Sequence, residues 1–195
     1  MKLVLATSNK GKVREIQALC KDYKVIPYSE LIDEFEIIED GDTFAENALI
    51  KARAVFNVLK QDDVIVLADD SGISVDVLDG EPGIYSARHA GVNASDKDNL
   101  HKLIQDIKDK GVESSPAFYT AAIAIVTKTS EYTVHGWMYG TSLNKAVGDG
   151  GFGYDPMFIP LGYEKTLGEL NDEVKKNLSH RAKALRLART ILRTL

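Results

Sequence analysis

Hydrophobic and polar residues along this chain follow two periods that take turns. A spacing of three and four marks helices. Val13, Ile16 and Leu19 predict one that starts near Gly11, and Ala48, Ala52, Val55, Phe56 and Leu59 predict a second over residues 43–60. Leu100, Leu103, Ile104 and Ile107 predict a third, and Leu185, Ala188, Leu192 and Leu195 a terminal one. Polar caps agree: Thr43-x-x-Glu46 and Ser95-x-x-Asp98 read as helix starts, Ser179 as an N-cap, and Gly111 as a stop. Apolar runs mark strands at 3–6, 23–27, 64–68, 118–126 and 132–139, and Ile73, Val75 and Val77 alternate as a half-buried strand does. Strands and helices alternate in the first half. Only the turn Lys128-Thr129-Ser130-Glu131 separates the long strands of the second, so the pattern predicts an α/β fold with a mixed sheet. No repeat, low-complexity tract or linker interrupts it, and residues 1–195 are expected to form a single domain.

The pattern breaks most sharply at Val64-Ile65-Val66-Leu67-Ala68-Asp69-Asp70-Ser71-Gly72, where an apolar run meets two acids, a hydroxyl and a glycine. This reads as a buried strand ending at a working site, because ligands collect at strand ends in open α/β sheets. A solvated turn has the same composition. Alternation along a strand points Asp69 and Asp70 to opposite sides. A second break, Thr7-Ser8-Asn9-Lys10-Gly11-Lys12, joins a strand to a helix start and offers N–H groups, lysines and a helix dipole to an anion, or is an ordinary surface turn. It is not a Walker A loop: the first glycine is absent, and Val13 stands where Ser or Thr would hold magnesium.

The third break is Gly148-Asp149-Gly150-Gly151-Phe152-Gly153-Tyr154-Asp155-Pro156. Its glycines match a dinucleotide fingerprint in letters, but Pro156 and the extended Met157-Phe158-Ile159-Pro160 stand where a long helix should open, so the Rossmann reading is rejected. A glycine loop with two aromatics and a carboxylate suits close backbone approach to a flat ligand and stacking on its face; a core-facing Phe152 is the alternative. Arg181 falls in the first turn of the terminal helix, where positive charge is unfavourable, which points to a ligand. Arg88 is a further candidate anion partner, and His101 reads as a surface helix residue.

Composition narrows the chemistry. A net charge of −5 gives no general attraction to nucleic acid or an anionic membrane. The single Cys20 and four unpaired histidines argue against disulfides and zinc, and no G-x-S-x-G elbow is present. The apolar opening turns polar too soon for a signal peptide or membrane span, so a cytoplasmic location is expected. Hard oxygen ligands at Asp69, Asp70 and Glu39, with lysines at 10, 12, 51 and 175, fit a magnesium-dependent phosphate site, and the aromatic loop makes a nucleotide the leading ligand.

Six segments carry a more specific resemblance: Thr7 to Lys12, Gly41-x-Thr43-Phe44-x-Glu46-Asn47-Ala48, Ala68 to Gly72, Pro82-Gly83-Ile84-Tyr85-Ser86-Ala87-Arg88, Gly151 to Pro156, and Ser179-His180-Arg181. In this order, across nearly the whole chain, they resemble the inosine/xanthosine triphosphate pyrophosphatase family. The resemblance implies an elongated two-lobed α/β fold with a central mixed β-sheet flanked by helices and an active-site cleft between lobes, usually in a homodimer. It also implies hydrolysis of ITP, dITP or XTP to the monophosphate and pyrophosphate with Mg2+. By the same resemblance, Asp70 is the general base, and Glu39, Asp69 and Asp70 form the metal site. Thr7, Ser8, Asn9, Lys10, Gly11, Lys12, Lys51 and Ser71 hold the triphosphate, and Phe152, Gly153, Tyr154, Asp155, Lys175, His180 and Arg181 form the base pocket.

Overall fold

The two periods take shape, in a computed structural model that describes residues 2–7, 9–20 and 23–195 without the side chains of residues 10, 15, 19 and 172, as six strands and five helices among the described residues. In chain order these are β1 (Lys2–Leu5), α1 (Lys10–Leu19), β2 (Val25–Pro27), α2 (Phe44–Leu59), β3 (Val64–Val75), α3 (Asp96–Asp109), β4 (Ser114–Val126), β5 (Glu131–Leu143), β6 (Phe158–Pro160), α4 (Asp172–Leu178) and α5 (His180–Leu192). The strands hydrogen-bond in the order β2-β1-β3-β4-β5-β6. β1 runs parallel to β2 and β3, whereas β6 is antiparallel to β5, so the sheet is mixed and α/β as the sequence predicts. No helix among the described residues is long and apolar enough to cross a membrane.

The chain divides into two compact units, the first comprising Met1–Asp70, Ala121–Gly136 and Arg181–Leu195 and the second Ser71–Thr120 and Trp137–His180. In the first unit, strand alternation sorts side chains into two cores. Leu3, Leu5, Ile65, Leu67, Ile123 and Ile125 pack on Ile16 of α1, on Cys20 just past its end, and on Leu185 and Ala188 of α5. Val4, Val64, Val66, Ala68 and Ala124 pack on Ala48, Ala52 and Val55 of α2. Each large aliphatic side chain buried this way contributes about 1.5–3 kcal/mol. In the second unit, Ile73, Val75, Tyr119, Met138 and Phe158 pack on Leu103 and Ile107 of α3. The Thr43 hydroxyl caps α2, and the reciprocal Ser95–Asp98 capping box starts α3.

One expectation changes. β3 does not end at the acids but continues to Val75, 12 residues in all, which absorbs Ile73 and Val75 into the same strand. Asp69 and Asp70 therefore sit in mid-strand, and the chain passes from the first unit to the second directly after Asp70.

Candidate active site

Alternation along β3 decides which helix each acid meets. Ile65 and Leu67 face α1 and α5, and Asp69 continues that row; Val66 and Ala68 face α2, and Asp70 continues the other. The Asp69 carboxylate is fully buried, with Oδ2 2.7 Å from Lys12 Nζ of α1 and Oδ1 accepting from Arg181 Nε of α5 at 3.1 Å. Burial alone would raise its pKa, but Arg181 and Lys12 outweigh that and hold the carboxyl well below the usual carboxylate range. The charge of Arg181 in the first turn of α5 thus has an internal reason, its pairing with Asp69.

Asp70 has a different neighbour. Its Oδ1 lies 2.7 Å from Lys51 Nζ of α2, and the same ammonium lies 2.8 Å from Glu39 Oε2. Asp70 Oδ2 is buried without a hydrogen-bond partner. Burial pushes the Asp70 carboxyl above its ordinary value, against the pull of Lys51 and with the help of Glu39's charge. For Lys51, burial disfavours the charge, yet Asp70 and Glu39 prevail and raise its pKa.

Glu39 stands in a stretch without regular structure, and the start of α2 anchors that stretch. Gly41 N–H donates to Asn47 Oδ1 at 2.9 Å, and Asp42 N–H donates to Glu46 Oε2 at 2.9 Å. A Cβ on Gly41 would lie 2.7 Å from Glu46 Cβ, so the close approach requires glycine here. Asn47 stands in the sequence in a helix start and in the Gly41-to-Ala48 segment of the resemblance, without a role of its own; its position one turn before Lys51 on the same helix is the signal for one.

The loop before α1 is more committed than the sequence suggests. Asn9 Oδ1 accepts from the N–H groups of Gly11 and Lys12 at 2.9 and 3.1 Å, so two donors expected to face an anion are capped internally. Thr7 Oγ1 accepts from Asn9 N–H at 3.2 Å. Ser8 and the side chain of Lys10, both expected at the triphosphate, lie outside the described residues.

The residues expected around the base, Arg181 excepted, belong to the second unit, as does Ser71 in β3. Phe152 is 52% exposed, and its N–H donates to Asp155 Oδ2 at 3.2 Å. Gly151, at φ 84°, leaves no room for a Cβ, which would fall 2.0 Å from that carboxylate oxygen. Tyr154 turns inward: it is 6% exposed, and its hydroxyl donates to Ser86 O at 2.6 Å. Only one of the loop's two aromatics therefore presents an exposed face. Burial, with the charges of Asp96 and Asp106, pushes the Tyr154 hydroxyl far up. Gly148 and Gly150 make their close approach to their own chain, since a Cβ on either would fall 2.6–2.8 Å from the Gly168 backbone. His180 is stacked on Tyr119 with ring centroids 4.7 Å apart, and the Lys175 ammonium lies beside Gly150. Arg88 sits over the Tyr85 ring at 5.1 Å, and His101 is exposed on α3.

Among the described residues no three His, Cys, Asp or Glu side chains converge as a ready metal cage. Magnesium needs less, commonly one or two carboxylates plus phosphate oxygens and water. Glu39 and Asp70 already converge on one cation, the Lys51 ammonium, and Asp70 Oδ2 is an oxygen in want of a partner. This donor set fits a hard divalent ion held jointly with a phosphate. Asp69 fits less well, because Lys12 and Arg181 occupy its two oxygens.

Comparison with known proteins extends the picture. The model of the Ham1 family matches residues 3–191. A protein of Sulfurimonas denitrificans named dITP/XTP pyrophosphatase is 72% identical over all of both chains. A Sulfurovum protein of the same name is 60% identical over all of this chain and 95% of its own. Among solved structures, the Staphylococcus aureus Ham1 protein superposes with a TM-score of 0.87 at 37% identity, over 100% of this chain and 99% of that one. A HAM1 protein from Coxiella burnetii has the same TM-score at 34% identity, with both chains fully covered.

Proposed function

This chain belongs to the Ham1 family, and from that premise we propose that it hydrolyses dITP, XTP and ITP to the nucleoside monophosphate and pyrophosphate. The observation that carries the chemistry is the unpartnered, buried Oδ2 of Asp70 beside the Lys51–Glu39 pair. Asp70 acts as the general base, and its raised pKa makes it a better proton acceptor than an ordinary carboxylate. Lys12 and Lys51 bring positive charge to phosphate oxygens, and Asp69 orients Lys12 and Arg181. Glu39 and Asp70 would hold a magnesium ion, which neutralises phosphate charge when bound. In the second unit, the exposed Phe152 ring provides a face for a purine, on a loop held by Asp155. Donors that bond a 6-oxo group are left unpaired by the 6-amino group of adenine, which favours hypoxanthine and xanthine. The family resemblance supports Mg2+ as the metal, a single 195-residue catalytic domain and a homodimer in the cytoplasm; light scattering of the purified protein tests the dimer.

The decisive experiment incubates the protein and magnesium with dITP, XTP, ITP, GTP, ATP and dUTP and identifies both products. Pyrophosphate plus a monophosphate, fastest from dITP and XTP, is expected. Orthophosphate plus a diphosphate, or binding without turnover, would overturn the reading.

A further inference from the structure

Around Asp69 and Asp70 the charges balance. Among the described residues the ion pairs there join three carboxylates, Glu39, Asp69 and Asp70, to three cations, Lys12, Lys51 and Arg181. A site that captures a divalent ion unaided relies on carboxylates in excess of the cations already present. Here the pair of carboxylates Glu39 and Asp70 already shares the Lys51 ammonium at 2.8 and 2.7 Å. A magnesium ion held by those two carboxylates would occupy the ground the ammonium holds. Asp70 Oδ2 remains open, but one oxygen beside an ammonium is a weak invitation to a second cation.

We propose that Lys51 is the resident cation of the metal site in the free protein, and that a bound triphosphate draws its ammonium off Glu39 and Asp70, so that metal and nucleotide are taken up together. The inference rests on the pyrophosphatase reading for the identity of the nucleotide. A triphosphate supplies the negative charge that the balanced cluster lacks. It also gives Lys51 new acceptors, which its flexible four-carbon stem reaches without a shift of α2. The resident ammonium has a second effect: it holds Glu39 and Asp70 converging on one point before the metal arrives. Because linkage is reciprocal, the nucleotide tightens metal binding by the same factor as the metal tightens nucleotide binding.

The test titrates Mn2+ into the wild-type protein, reading free ion by electron paramagnetic resonance, alone and with a dITP analogue bearing a methylene bridge between the α- and β-phosphorus. After the Mn2+ that the analogue chelates without protein is subtracted, binding about tenfold to a hundredfold tighter with the analogue is expected. Lys51→Met keeps the stem and removes the charge, so it should bind Mn2+ at least about tenfold more tightly than wild type without nucleotide and lose most of the analogue's effect. Equal Mn2+ affinity with and without the analogue in wild type, or no gain in Lys51→Met, would overturn the proposal. Should Lys51→Met fail to fold, the wild-type pair of titrations decides alone. A protein that releases pyrophosphate from dITP but fails these titrations keeps its function and loses this inference. One that neither binds the analogue nor turns over dITP loses the functional reading, and the Mn2+ comparison of wild type with Lys51→Met then still decides what the lysine does.

Discussion

Around Asp69 and Asp70 in the first unit and in the glycine loop of the second, polar groups are held by different means. In the first, charge is set against charge: Asp69 pairs with Lys12 and Arg181, and Asp70 and Glu39 share Lys51. In the second, the glycine loop is held largely by backbone and hydroxyl contacts, with Gly150 N–H donating to Gly168 O, the Thr166 hydroxyl to Val147 O and the Tyr154 hydroxyl to Ser86 O, and the Asp155 carboxylate accepts from Phe152 N–H. A cluster of movable charges can exchange internal partners for phosphates and a metal, whereas a loop fixed by backbone contacts can present a flat, uncharged face without rearranging.

The comparison breaks most visibly at the adjacent acids. Asp70→Asn removes the proton acceptor, and steady-state assays with dITP should show kcat reduced about 10²–10⁴-fold, with the denaturation midpoint kept or raised because a costly buried charge is gone. Asp69→Asn leaves Lys12 and the buried Arg181 without their counter-charge. Urea denaturation should show it less stable by about 3–5 kcal/mol. If both variants lost stability equally while retaining activity, the division of labour between these neighbours would be wrong.

Acid sharpens the same contrast. The Asp69 carboxyl has a folded pKa below its ordinary value of 3.8. Its contribution to stability is therefore fully present above that ordinary value and is lost as pH falls through the folded pKa. Asp70 shifts the other way, so its ionisation costs stability as pH rises through its raised pKa, and that cost disappears on acidification. Thermal melts below pH 4 should fall steeply for wild type and much less for Asp69→Asn.

Gly41→Ala probes the anchor of Glu39. The added Cβ would fall 2.7 Å from Glu46 Cβ and 2.9 Å from Asn47 Oδ1, displacing the clasp that fixes the Glu39 loop on α2. A loss of about 1–3 kcal/mol in stability and a raised magnesium requirement for dITP turnover are expected. An unchanged magnesium requirement would separate this loop from the metal site.

Much of this was legible in local pattern, and most of what was not shares one cause. The capped helix expected over 43–60 is α2 at Phe44–Leu59, and alternation correctly separated Asp69 from Asp70. The strand's continuation through the acids was hidden, because Asp, Ser and Gly signal a turn locally while the cations that make a buried mid-strand position tolerable come from distant helices. The internal partner of Arg181 is hidden for the same reason, since Asp69 is 112 residues away. Glycines 148 and 150 looked shaped for a ligand, yet what approaches them is Gly168, a contact no local spacing encodes. The seven-residue α4 went unseen because its Asp-Glu-Val-Lys-Lys-Asn-Leu sequence has no apolar stripe.

The smallest expected effect tests the glycine-loop half of the comparison. Phe152 is exposed, so its removal leaves no cavity, and Phe152→Ala should melt with the wild type. What it loses is a stacking face, worth about 1–3 kcal/mol per base. That loss falls on substrate and transition state alike, because the base is remote from the phosphorus under attack. KM for dITP should therefore rise about tenfold with kcat nearly unchanged, and Phe152→Trp, which keeps an aromatic face, should restore it. A fall in kcat at constant KM would instead place the ring's contribution in the transition state, and the second unit would then share in the chemistry that the charges of the first are proposed to carry.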